Sequence, residues 1–226
     1  MRHTRWRPQS TSPVVIDRSS CARAPLDTSR HRIARTAPLP SRRYIREMAV
    51  MIREARAGEF DEVAAVLQAA YEEHMPSADA PLSDRERAGW AGYGADIIDV
   101  RSRLDHTELI VAEEDGRVLG AVTFYPPHSG VHYPTEVDHQ DFPPEWAAFR
   151  LLGVHPDARG RGLGRKLTEE CLRRAAEHGA PVVGLHTLSR METAGKMYVR
   201  MGWVRAPEWD IHPLPNLRVE AYRLDL

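Results

Sequence analysis

One stretch constrains this chain more than any other. An apolar run ends at Val154, an amphipathic pattern begins at Leu163, and between them lies His155-Pro156-Asp157-Ala158-Arg159-Gly160-Arg161-Gly162. Pro156 cannot donate to a β-ladder and closes the strand. Glycine at 160, 162 and 164 is costly inside a helix, so the stretch reads as a turn into one. The helix that follows has its buried stripe predicted at Leu163, Leu167, Cys171 and Ala175, four residues apart. A strand that enters a helix through such a turn belongs to a layered α/β structure. Unpaired amides at the helix start, the macrodipole and the basic side chains Arg159, Arg161, Arg165 and Lys166 together form an anion cradle, with a phosphate as the expected ligand. These basic groups would repel one another unless an anion sat among them.

The same logic orders the rest. Val50, Ile52 and Ala55 alternate as a first strand, and Val63, Ala64, Val66, Leu67, Ala70 and Tyr71 fall at helical spacing behind Asp61. Ser83-Asp84 caps a second helical region through Arg103, which Gly89, Gly92 and Gly94 are expected to weaken or break. Two apolar runs, Leu109 to Ala112 and Val118 to Phe124, flank Asp115-Gly116 as a hairpin. A proline-rich loop of about twenty residues follows. Ala148 to Val154 is the next strand, then come the helix from Arg161 to His178, a strand from Pro181 to Thr187, a helix from Glu192 to Met201, and closing strands at Trp203 to Ala206 and Arg218 to Leu224. The order β-α-α-β-β-β-α-β-α-β-β predicts a mixed sheet with antiparallel strands first.

Charge divides the chain in two. Residues 1–48 carry 11 arginines, no lysine and three acids, a net of +8, while the remainder carries 20 bases and 29 acids, a net of −9. The front segment has too little apolar surface to offset its ordering entropy and is expected to be a disordered leader. It fits an organellar transit peptide, a phosphate-binding basic tail, or upstream sequence ahead of a start at Met48 or Met51, the last being preferred. Two cysteines, Cys21 and Cys171, make no disulfide framework, and no apolar stretch reaches membrane-spanning length. A cytoplasmic protein without membrane or specific nucleic-acid partners is expected. His128, His132 and His139 are spaced like no common metal site, so no metal is expected.

The nature of the phosphate ligand follows from spacing. No Walker loop is present, and the dinucleotide pattern fails because Arg165 stands at its sixth position. Arg159-Gly160-Arg161-Gly162-Leu163-Gly164 instead resembles the Arg-x-x-Gly-x-Gly pyrophosphate motif of the GNAT superfamily of acyl-CoA N-acyltransferases. A second motif, Ala194 through Tyr198 to Gly202-Trp203, resembles that family's helix end, and the likeness runs from Ala49 to Leu226. The resemblance implies the GNAT fold, with acetyl-CoA as cosubstrate and no covalent intermediate. It also implies a splayed strand whose backbone at Leu152, Gly153 and Val154 pairs with the pantetheine arm. Residues Arg159, Gly160, Arg161, Gly162, Leu163, Gly164 and Arg165 would hold the phosphates, and Tyr198 would be the general acid. A base is expected on the strand before the glycine loop, but that position is Ala148. Glu145 is taken in its place, with Asp141, Asp138 and His139 as alternatives. Met191 replaces the family's frequent asparagine. The acceptor implied is a primary amine, on a small molecule or a protein N-terminus, and the acid excess mildly favours a cation. The oligomeric state is left as monomer or homodimer. A non-catalytic acyl-CoA sensor or scaffold of the same fold is the competing reading.

Overall fold

The computed structural model describes residues 50–130, 141–214 and 217–226. The Arg-rich leader and His132, Asp138 and His139 lie outside the described residues. Strands β1 (Met51–Glu54), β2 (Glu108–Glu114), β3 (Arg117–Tyr125), β4 (Ala147–Val154), β5 (Val182–Leu188), β6 (Val204–Arg205), β7 (Ile211–Leu214) and β8 (Leu217–Asp225) form one sheet. The strand order is β1-β2-β3-β4-β5-β8-β6, and β7 pairs with β8. Among the described strands only β4 and β5 run parallel. The helices are α1 (Phe60–Tyr71), α2 (Asp84–Ile98), α3 (Leu163–Glu177) and α4 (Glu192–Arg200). None of the described helices is long and apolar enough to cross a membrane.

The β2–β3 hairpin closes on Asp115 and Gly116, at φ 52° and 81°. Positive φ at both positions is the primed turn whose twist matches the flanking strands. Successive residues of β2 then serve opposite faces. Val111 joins α1 residues Val63 and Leu67 in one core, and Ile110 and Ala112 join α3 residues Leu167 and Cys171 in the other. The predicted α3 stripe of Leu163, Leu167, Cys171 and Ala175 is buried throughout.

Three expectations needed correction. The second helix is continuous over its 15 residues despite its glycines. Reciprocal capping by Ser83 and Glu86 and the burial of Trp90 and Ile97 hold it, and the region ends in a separate single turn at Arg101–Arg103. Strand β7 was missed because its proline-containing sequence reads as loop; it pairs with β8 through Ile211 and Leu214. The helix predicted from Arg161 begins at Leu163.

The feature that positions chemistry is a seam in the sheet. β4 and β5 pair only at Ala147↔Val183, Ala148↔Gly184 and Phe149↔Leu185. Beyond Phe149 the strands part while β4 stays paired to β3. The β3–β4 register jumps from Thr123↔Arg150 to Ala121↔Gly153, so Leu151 and Leu152 oppose Val122 as a bulge. Leu151 sits at φ 54°, a left-handed conformation costly for a side chain of its size. Its burial in the α1 core secures it there.

Candidate active site

The seam leads to the start of α3. Gly160 and Gly162 have φ 77° and 75°. Gly162 is the N-cap; no side chain caps the helix, and its first turn carries no acid. A Cβ built on either glycine would meet nothing within 4 Å, so these positions border open space. The helix start is therefore open, but the electrostatic reason expected for an anion there is not found. Arg159 pairs with Glu73 at 2.5 Å and donates to the Ala70 carbonyl at 3.1 Å. Arg161 grips Glu114 through both nitrogens, and Arg165 pairs with Glu169 at 2.8 Å. Carboxylates already relieve the repulsion, so no anion is required for that purpose.

Where β4 and β5 part, a cavity is bounded by Phe149, Arg150, Leu151 and Leu152 on one side and His186, Thr187 and Leu188 on the other. Tyr198 lines it from α4, with Ala194 and Met191. The Tyr198 side chain is buried among the rings of Phe149, Trp203 and Tyr222, and burial pushes its phenol well above the ordinary range. It is neutral, a proton donor, at any physiological pH. Gly202 at φ 93° ends α4 and lets the Trp203 amide reach back to the Tyr198 carbonyl at 3.1 Å. Tyr71, Trp90 and Tyr93 close the cavity from α1 and α2 in an edge-to-face chain, and burial lifts the Tyr93 phenol to about 12. The Tyr71 hydroxyl donates to the Leu152 carbonyl at 3.2 Å, and the Arg159 Nε to that of Val154 at 3.4 Å. Two of the three expected pantetheine-binding residues thus have their carbonyls engaged by side chains from the helix and loop around the seam.

A parallel strand pair opening beside an uncapped glycine turn is the arrangement that the motifs implied. The model of the acetyltransferase (GNAT) family matches residues 65–203, more than half of the sequence. The chain belongs to the GNAT acetyltransferase family. It is 32% identical over 112 residues to mycothiol acetyltransferase of Cellulomonas flavigena, covering 47% of this chain and 31% of that protein. It is 31% identical over 125 residues to S-(2-succino)cysteine N-acetyltransferase of Bacillus subtilis, covering 54% of this chain and 70% of that enzyme. The chain thus spans about a third of the mycothiol enzyme's length. Among solved structures, a GNAT-family acetyltransferase of Staphylococcus aureus Mu50 superposes with a TM-score of 0.54 at 14% identity, over 79% of this chain and 99% of that one. The Salmonella typhimurium protein yncA, solved with its cofactor acetyl-CoA, gives 0.53 at 21% identity, over 79% and 94%. At these identities the structures establish the fold.

At the strand position where the resemblance implied a carboxylate, this GNAT domain has none. Ala148 is buried on β4 opposite Gly184. The ring of Phe142 lies on Gly184 so closely that a Cβ there would come within 2.6 Å of it. Phe142 stacks in turn on His186, with ring centroids 4.7 Å apart, and on Trp146 at 5.5 Å. Glu145 and Asp141, in the same loop, are exposed, and neither lines the cavity. Met191 does line it, and its sulfur accepts from the Thr187 hydroxyl at 3.7 Å. Arg150 and Arg103 both reach Asp96, at 3.0 Å and 3.5 Å. Sequence reasoning missed His186. The available signal was its place as the one titratable residue in the apolar strand Val182–Leu188. Among the described residues, no three potential metal ligands converge.

Proposed function

We propose that this GNAT domain transfers the acetyl group of acetyl-CoA to a primary amine by direct attack in a ternary complex. The observation that carries the reading is continuity. The uncapped start of α3 at Gly162, the parted β4–β5 seam and the cavity lined by Tyr198 succeed one another along β4. A diphosphate fits the first, since Gly160 and Gly162 border open space at a helix start that no side chain caps. Arg159, Arg161 and Arg165 with the amides of the turn would hold the phosphates. The β4 backbone at Leu152, Gly153 and Val154 would take the pantetheine arm. When bound, acetyl-CoA supplies an activated thioester. The acceptor nitrogen, neutral when it attacks, forms its bond to the carbonyl carbon and gives up a proton, the carbon–sulfur bond breaks, and Tyr198 donates its proton to the departing sulfur and is reprotonated from solvent. Burial keeps that phenol protonated, so the proton is there to be given. Cys171 is fully buried, and burial pushes its thiol well above the ordinary range, which argues against an acetyl-cysteine intermediate.

A small amine is the favoured acceptor. Trp90, Tyr93, Ile211 and Pro213 enclose the cavity, and the two relatives described above are named for small sulfur-containing compounds. The absent strand carboxylate favours the second reading, a module that binds acyl-CoA without catalysis. Titration with acetyl-CoA by calorimetry, together with thiol release over a panel of small amines and peptide N-termini, separates the two. Binding with amine-dependent thiol release is expected, and Tyr198→Phe should lower kcat at least tenfold while leaving the acetyl-CoA Kd within twofold. Binding without release from any amine would favour the module instead.

A further inference from the structure

We infer that the imidazole of His186 is the base that takes the proton from the acceptor amine, an inference that rests on the amine acetylation proposed above. An alkylamine of pKa near 10.4 is neutral in only about one molecule in a thousand at pH 7.4, so a base beside it speeds attack. The register places His186. With Ala148↔Gly184 and Phe149↔Leu185 as the last pairs, the next step sets Arg150 and His186 on either side of the opening seam. Both line the cavity that Tyr198 lines.

The ring is oriented for the task. His186 Nε2 lies 2.7 Å from the Trp209 carbonyl oxygen. A carbonyl only accepts, so Nε2 carries the hydrogen, and in the neutral ring the basic lone pair is on Nδ1. Stacking on Phe142 at an interplanar angle of 18° fixes the ring plane. Among the described residues the alternatives are poorly placed. The other titratable side chains that line the cavity among the described residues are Tyr71, Tyr93, Arg150 and Tyr198, all proton donors at neutral pH. Asp96 is turned onto Arg150 and Arg103, and Glu145 and Asp141 are exposed. Among the described residues, charges on the neighbouring elements are Arg150 with Asp96 on one side and, around Trp209 and β8, Glu208, Asp210 and Glu220 with Arg205 and Arg218. In the step, the amine proton passes to His186 as nitrogen bonds to the acetyl carbon, and it is later lost to water.

The test compares wild type with His186→Gln, whose amide can still donate toward Trp209, and with His186→Ala. Thiol release with the best amine of the panel is followed from pH 6 to pH 9, with acetyl-CoA affinity by calorimetry as the check on folding. Both variants are expected to bind acetyl-CoA within twofold of wild type and to lose roughly 10²-fold in kcat at pH 7.4. That deficit should shrink towards pH 9 as the amine sheds its own proton, and added imidazole should partly restore His186→Ala. A wild-type rate in His186→Gln would overturn the inference. So would a deficit that is constant with pH and insensitive to imidazole, which is the mark of a packing role. Wild type inactive on every amine would refute the acetylation reading itself, and this inference with it.

Discussion

Gly162 offers a test of the phosphate cradle in which backbone strain and ligand contact can be separated. Gly162 and Gly179 have nearly equal left-handed φ, 75° and 71°, and a Cβ at either meets nothing within 4 Å. They flank the two ends of the 15-residue α3, which are about 20 Å apart at the helical rise. Alanine should therefore cost each site the same, about 1–2 kcal/mol for a left-handed alanine with no clash to add. In a domain of this size that lowers Tm by roughly 2–8 °C. Only at Gly162 does the new methyl enter the space assigned to the pyrophosphate. Losing one charge-assisted amide contact there is worth about 1.5–3 kcal/mol, a weakening of roughly 10- to 150-fold in acetyl-CoA affinity. Paired thermal melts and calorimetry on Gly162→Ala and Gly179→Ala make the measurement. Matched melting losses with an affinity loss confined to Gly162→Ala are expected. Equal affinities in the two variants would refute the cradle.

Two further outcomes follow from buried and paired groups. The Glu59 carboxylate accepts from Arg53 at 2.6 and 2.8 Å, and these hydrogen bonds hold its pKa down to about 2. A depressed folded pKa adds stability above the unfolded value of about 4.5 that disappears as pH falls towards 2. The urea-midpoint gap between wild type and Glu59→Gln should thus narrow from pH 5 to pH 2.5, and a gap that stayed constant would contradict the assignment. Cys171, fully buried, should resist thiol reagents until the protein unfolds, and no acetylated Cys171 should accumulate with acetyl-CoA alone. Intact-mass and peptide mapping would detect either, and an acetyl group on that sulfur would refute direct transfer.

Legibility in the sequence tracked how local the physics was. The turn at Asp115-Gly116, the α3 stripe and the Gly202 helix end are set by residues within a few positions of one another, and each stands as read. The continuity of α2 was not legible, because three glycines argue locally against a helix that capping and the burial of Trp90 and Ile97 sustain. Strand β7 depends on a partner in β8 that no local pattern names. The cradle's charges were read with the right sign and the wrong energetics. Glu73 and Glu114, which neutralise Arg159 and Arg161, lie 86 and 47 residues away in the chain.

The missing carboxylate was visible as Ala148, but its meaning depends on the sheet. Ala148 and Gly184 are neighbours across the β4–β5 pair, and the ring of Phe142 occupies the space above Gly184. A glutamate at 148 would be buried beside that aromatic surface, where an unpaired charge costs several kcal/mol. The small residue at 148, the glycine at 184 and the aromatic cluster of Phe142, Trp146 and Trp209 are therefore one packing solution. That solution removes a carboxylate from one rung of the seam and holds His186 at a neighbouring rung, stacked by Phe142 and tethered by the Trp209 carbonyl. The loop that looked like a source of acidic bases supplies aromatic contacts that orient a histidine on the strand.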